Sequence, residues 1–285
     1  MIVTAWGTRG SVAASGPETV RFGGNTSCVE VRGHDDTVLV LDAGTGIRRL
    51  GTRLRSDLRR VDVMLTHLHM DHIQGLGFFA PLYNPDVEVH LWGPASTTQD
   101  LRSRLTRYLS PPLFPVRLRD LPCKLHLHEV RYDTVQIGSL RVTSSLVAHP
   151  GPTVGYRIES DHAAVAYLPD HEPALGVARF PQEAAWTSGY DLAHDADLLI
   201  HDAQYTKEEY ARHVGWGHSS LHHTLAFATL ARVKHLVAFH HDPARDDEAL
   251  ARVVAEAVAE LSPPFPVTAA AEGDRFELGT PPAAG

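Results

Sequence analysis

Cysteine is nearly missing from this chain: Cys28 and Cys123 are the only two among 285 residues, and neither has a CxxC partner. That excludes a disulfide framework, and both are read as reduced packing residues and not as metal ligands. Lysine is almost as rare, with Lys124, Lys207 and Lys234 the only three among 26 basic residues; genomic composition explains that bias as readily as function. The formal net charge is −8, so the basic footprint needed for a large non-specific grip on nucleic acid is lacking. A small anionic substrate stays open, because a local site holding divalent ions overrides the global field. No apolar run approaches the length of a membrane helix, and Met1 to Gly7 has neither the basic start nor the apolar centre of a signal peptide. The expected location is therefore the cytoplasm, with no membrane partner. Repeats and extended low-complexity segments are missing too. With 43% hydrophobic residues and no break in composition, one domain is expected over residues 1–280, followed by a Pro/Ala-rich tail, 281–285, that frays.

Histidine, by contrast, occurs 19 times, and four metal-capable side chains fall within His67-Leu68-His69-Met70-Asp71-His72, directly after the apolar, strand-like run Val61 to Thr66. Side chains repeat every two residues in an extended segment, so His67 and His69 leave the strand tip on one side and can share one ion. Asp71 and His72 follow where the chain turns toward a helix expected near Ile73, and they face a second position. Imidazole nitrogen and carboxylate oxygen are the ligand set of zinc, and manganese or iron fits the same set.

Other metal-capable residues recur in the same setting. Asp42, His149, Asp170 and His240 each stand at or just past the end of an expected strand: Val38 to Leu41, Thr134 to Ala148, Ala163 to Leu168 and His235 to Phe239. Loops converging at strand ends are where sites form, and two cations need about four ligands each. Asp42 is expected either to cap a helix holding Ile47, Leu50 and Leu54 or to orient a liganding imidazole. Gly7 to Gly24 reads as a loop whose backbone approaches a ligand, or as a plain turn. Ser96 to Gln99 fits a capping box, and Asp242-Pro243 fits the cap of a helix from Ala244 to Leu261. Ser110 to Pro115 is a lid candidate or a packed connector. His90, His126, His128 and His162 are read as surface or packing residues.

On these residues the chain resembles the metallo-β-lactamase superfamily, whose HxHxDH hallmark is His67 to His72, with Asp42, His149, Asp170 and His240 in the family's order. The resemblance implies an α/β fold, an αββα sandwich of two mixed β-sheets flanked by helices, with a binuclear site at one edge. By that resemblance one ion takes His67, His69 and His149, the other takes Asp71, His72 and His240, and Asp170 bridges them; His241 competes with His240. Gly7 to Ser11, Leu199 to Ala203 and Gly217-His218-Ser219-Ser220 are similar to the branch holding the tRNA 3′-end-processing ribonuclease and cyclic-nucleotide phosphodiesterases. By that resemblance His218 would touch the phosphate or protonate a leaving group with Asp202 in support, although that ribonuclease usually has Glu and His-Ser-Thr at these places. The long basic arm that grips tRNA is not visible. The expected function is hydrolysis of a small phosphodiester, a cyclic nucleotide first, by a metal-bridging hydroxide, with two divalent ions, zinc foremost. The alternatives are tRNA 3′-end processing and a non-catalytic metal or nucleotide sensor; thioester or β-lactam hydrolysis is disfavoured. Family resemblance also suggests a homodimer.

Overall fold

Period-two alternation sorts the strands onto two faces. In the strand Val38–Leu41, Val38 and Val40 join one buried cluster while Leu39 and Leu41 join another; in Ala163–Leu168, Val165 and Tyr167 divide from Ala166 and Leu168 in the same way. Strands apolar on both faces must be covered on both, so each sheet lies between its partner sheet and a layer of helices. The computed structural model describes residues 1–175, 177 and 180–279; the tail expected to fray lies outside the described residues.

The strands are β1 (Ile2–Gly7), β2 (Cys28–Arg32), β3 (Val38–Leu41), β4 (Arg60–Met64), β5 (Glu88–Pro94), β6 (Lys124–Val130), β7 (Thr134–Ile137), β8 (Leu140–Leu146), β9 (Val154–Ser160), β10 (Ala163–Leu168), β11 (Leu198–Asp202), β12 (Leu236–Phe239), β13 (Val267–Ala269) and β14 (Arg275–Glu277). They form two seven-stranded sheets, ordered β14-β1-β2-β3-β4-β5-β6 and β13-β12-β11-β10-β9-β8-β7. Both are mixed: β3 to β6 are parallel in the first and β10 to β13 in the second, with antiparallel pairs elsewhere. The inner faces meet through Leu39, Met64, Tyr156, Tyr167 and Phe239. The helices α1 (Ile47–Gly51), α2 (Met70–Ile73) and α3 (Leu101–Thr106) cover the first sheet. The second is covered by α4 (Tyr190–Ala193), α6 (Leu221–Leu230) and α7 (Asp247–Leu261), with α5 (Lys207–Tyr210) between α4 and α6 in the chain. This is the expected αββα sandwich. No helix among the described residues is long and apolar enough to cross a membrane, and both cysteines are free and buried.

Several local expectations are corrected. α2 begins at Met70, not near Ile73, so Asp71 and His72 ride on a helical turn capped by an extended His69. Asp100, whose side chain accepts from the Ser103 amide at 2.7 Å, caps α3 in place of the Ser96 box. Asp246 caps α7 in the same way. Asp242 instead accepts from the Ala244 amide, and Arg245 is drawn off the helix axis to the Gln204 carbonyl and Glu209. In the proline-broken segment Phe114 is buried against Phe78 and Tyr108, while Leu113 beside it is exposed.

Candidate metal centre

β10, β11 and β12 are parallel, β8 runs with them because β9 is antiparallel to both β8 and β10, and the ends of these strands lie beside those of β3 and β4 in the other sheet. The loops leaving these ends bring together His67, His69, Asp71, His72, His149, Asp170 and His240. Two groups result, each with ligand-capable atoms within 4.8 Å of one another: His67, His69, His149 and Asp170, and Asp71, His72, Asp170 and His240. Asp170 belongs to both. Its Oδ2 lies 3.7 Å from His67 Nε2 and from His149 Nε2, while its Oδ1 lies 2.9 Å from His72 Nε2 and 3.2 Å from His240 Nε2. Asp71 Oδ2 is 3.1 Å from His240 Nε2.

Whether this set suits a cation can be judged from its unpaired atoms. His67 Nε2 is buried without a hydrogen-bond partner, and His72 Nε2 and Asp170 Oδ1, 2.9 Å apart and equally buried, face each other without hydrogen-bond geometry. Burying polar atoms unpaired is costly, and three of them aimed at one another are an arrangement that cations complete. The opposite nitrogens are held. His72 Nδ1 is 2.8 Å from Asp42 Oδ2, His67 Nδ1 is 3.1 Å from Thr66 Oγ1, His149 Nδ1 is 2.8 Å from the Gly217 carbonyl, and His240 Nδ1 is 3.0 Å from Gln204 Oε1. Such partners fix ring orientation and leave Nε2 for the ion. Burial pushes His67, His69 and His149 below the ordinary histidine range, so they stay neutral and able to ligate. At His72 burial is outweighed by Asp170, Asp71 and Asp42, which raise it well above that range. A cation there would take the place of that proton. Burial of Asp170 is outweighed by His240, His72 and His67, which keep it ionised.

The surroundings explain this placement. Asp42, at φ 60°, sits in the left-handed region and is not a helix cap. It accepts from the Thr66 amide at 2.7 Å and from Tyr167 Oη at 3.0 Å, so its position relative to His72 is set by both sheets. Asp42→Asn is expected to weaken cation binding about 10- to 100-fold, measured by competition with a chromophoric chelator. His240 turns toward Asp170, whereas His241 packs against Phe22 and its Nε2 donates to the Ala270 carbonyl. The glycine loop comes close to the centre, as its composition suggested: the Ser11 amide donates to Asp71 Oδ2 at 2.7 Å, and a Cβ on Gly10 would stand 2.2 Å from His240 Nδ1. Arg9, fully buried, anchors that loop by donating to the Gly23 and Arg245 carbonyls at 2.9 and 2.7 Å.

His218 lies on the rim of the same cluster. Its Nδ1 is 2.7 Å from Asp202 Oδ2, and its ring stacks on His240 at 4.9 Å. Glu172, to which the sequence assigns no role, accepts from the Gly215 and Gly217 amides and from Tyr210 Oη, and so shapes the turn that presents His218 and the Gly217 carbonyl. Its place in the run Asp170-His171-Glu172 is the signal the sequence offers. Thr66, Tyr167 and Gln204 had no such signal, since only the fold brings them to Asp42 and His240.

Behind Asp202 lies a buried histidine pair: His171 Nδ1 is 2.9 Å from His201 Nε2, and His201 Nδ1 donates to the Asp202 carbonyl. Burial lowers His201 to about 4 from 6.5. The unfolded chain therefore binds a proton that the folded chain refuses, and stability present above pH 6.5 is lost as pH falls toward 4. The loss is on the order of 3 kcal/mol. Denaturant unfolding of metal-free protein at pH 7 and pH 5 is expected to show His201→Gln losing less stability than the natural chain on acidification.

Known proteins give this geometry a context. A "Ribonuclease Z" of Gemmatimonas aurantiaca is 26% identical over 270 residues, covering 80% of this chain and 82% of that protein. The crystal structure of human tRNase Z, short form, superposes with a TM-score of 0.68 at 20% identity, covering 98% of this chain and all (100%) of that one. A diphosphatase of the PhnP family gives 0.66 at 20% identity, covering 98% and 99%. Residues 37–241, which contain all of the clustered ligand candidates, match the Beta-lactamase superfamily domain, and with the two-sheet sandwich around them this is the superfamily to which the chain belongs.

Proposed function

We propose that the chain is a metal-dependent phosphodiesterase acting on a small phosphodiester, with cyclic nucleotides as the leading substrates. The observation that carries this reading is Asp170, with one oxygen facing each ligand group and the His218–Asp202 pair alongside. Two divalent ions, zinc foremost and manganese or iron equally matched to the donors, would be held by His67, His69 and His149, by Asp71, His72 and His240, and by Asp170 between them. When bound, they supply charge neutralisation for a phosphoryl group and a lowered pKa for an attacking water.

The chain's own residues do the rest. With Nδ1 committed to Asp202, His218 has Nε2 to offer a departing oxygen. Burial lowers its pKa, but Asp202, then Asp170 and Asp71, raise it to about 9, so it carries its proton at neutral pH and can act as general acid. Asp202 is held by the Gln204 and Ser219 amides at 3.0 and 3.2 Å, which fixes the line along which the proton is delivered. Beside His67 and His69 a cleft of about 430 Å³ opens between Ser96 to Gln99 and Pro150 to Pro152, with Arg104 and Arg107 on its wall. That volume suits a small ligand, and Arg107 suits an anionic one, while Arg104 is engaged with the Pro94 carbonyl and Glu129.

The second reading is tRNA 3′-end processing, favoured by relatives that carry the name Ribonuclease Z. A panel of cyclic AMP, cyclic GMP, cyclic dinucleotides, bis(p-nitrophenyl) phosphate and a precursor tRNA with a trailer separates the two. Turnover of the small diesters with an intact trailer supports the proposal; efficient trailer removal with inert cyclic nucleotides replaces it by the ribonuclease. Nucleotide binding without turnover, unchanged in Asp71→Ala, would leave a sensor.

A further inference from the structure

We propose that the face of β5 and β6 carries a further transition-metal site, separate from the centre around Asp170 and independent of the reaction catalysed there. The two strands are parallel, and their register sets His90 beside His126 and Trp92 beside His128. Val89, Leu91, Leu125 and Leu127 point into the helix-covered layer. Alternation therefore gathers Glu88, His90, His126 and His128 on the opposite face.

One ligand-capable atom from each of Glu88, His90 and His126 lies within 4.8 Å of the others, and the rings of His90 and His126 stack at 4.5 Å. His90 Nε2 is buried and has no hydrogen-bond partner. Its Nδ1 is 3.0 Å from His128 Nε2, and the His128 ring is itself fixed by stacking on Trp92 at 3.9 Å. With the proton on Nδ1 donated to His128, Nε2 presents an open lone pair. An orphaned Nε2 with its Nδ1 held is also the pattern at His67 and His72. Burial pushes His90 and His128 below the ordinary histidine range, which keeps them neutral and free of competing protons.

Two positive groups oppose a cation here. Arg60 is bound through two hydrogen bonds to Asp62, and Lys124 stands 3.7 Å from Glu88 in a largely exposed pair. An exposed pair of this kind contributes little, so an ion can displace Lys124. Two imidazole nitrogens and one carboxylate oxygen select zinc, nickel or copper over magnesium or calcium. Asp62, the register partner of His90, lies inside β4, whereas His67 follows the end of that strand at Met64, and the two groups have no residue in common.

Equilibrium dialysis of the full chain against micromolar Zn²⁺, with elemental analysis, tests this. His90→Ala and the more exposed His126→Ala are each expected to hold one ion fewer than the natural chain. Both are expected to hydrolyse bis(p-nitrophenyl) phosphate at the natural rate, while His34→Ala, on an exposed turn, keeps the full count. The readout is a difference of one ion, so it stands whatever the centre at Asp170 binds or hydrolyses. An equal count in the natural chain and the His90 and His126 variants, or an equal loss in His34→Ala, overturns the site.

Discussion

Asp170→Asn is expected to lower phosphodiester hydrolysis by roughly 10⁴-fold, with cation binding weakened in both ligand groups at once. Asp170 is the only side chain common to the two groups, and it is buried with one oxygen toward His67 and His149 and the other toward His72 and His240. Asparagine keeps its shape, so the sandwich around it is undisturbed. It removes the negative charge and turns an amide NH₂ toward imidazole nitrogens that need an anion or a cation. Losing about 5 kcal/mol of charge stabilisation in the transition state corresponds to the quoted fall in rate. kcat/KM on bis(p-nitrophenyl) phosphate, measured beside the bound-metal count, checks both parts; a loss under about tenfold would remove Asp170 from the centre of the reaction.

His218→Ala is expected to cost about 10²- to 10⁴-fold in kcat when the leaving group is a ribose or alkyl oxygen. Much less is expected with p-nitrophenolate, which departs without a proton. That contrast separates a proton donor from a residue that only shapes the cleft, since a structural role would depress both substrates alike. The pH profile adds a sign. As the proposed general acid His218 would act when protonated, so the rate is expected to fall as pH rises through its pKa, which burial lowers but Asp202 above all raises to about 9. Cations on Asp170 and Asp71 offset the contributions of those two carboxylates and move the limb below 9. Asp202→Asn is expected to move it further down and to lower the rate at pH 8 on the alkyl substrate. An unmoved limb would assign the ionisation to another group.

Much of this was legible in the sequence because it is local. HxHxDH declares itself by spacing, and Asp42, His149, Asp170 and His240 share the habit of standing at strand ends, which the fold turns into a common edge. The unbroken apolar runs of β3 and β10 announce strands buried on both faces. What was hidden depends on which strand lies beside which. His90, His126 and His128 look like scattered surface residues until β5 and β6 are set in register. Arg9 and Gln204 acquire purpose only when the glycine loop meets β12 and the start of α7. The cap of α7 is not settled locally, since Asp242 and Asp246 are both good caps; in the structure the helix begins at Asp247, with Asp246 accepting from the Ala249 amide. β13 and β14 pair as three-residue strands at sheet edges, too short to show a period.

The most direct measurement is anomalous diffraction at the zinc edge from crystals of the full chain grown with Zn²⁺. The structure predicts two peaks flanking the Asp170 carboxylate, one among His67, His69 and His149 and the other among Asp71, His72 and His240. A single peak in this region, or two peaks of which neither approaches Asp170, would contradict a carboxylate-bridged binuclear centre.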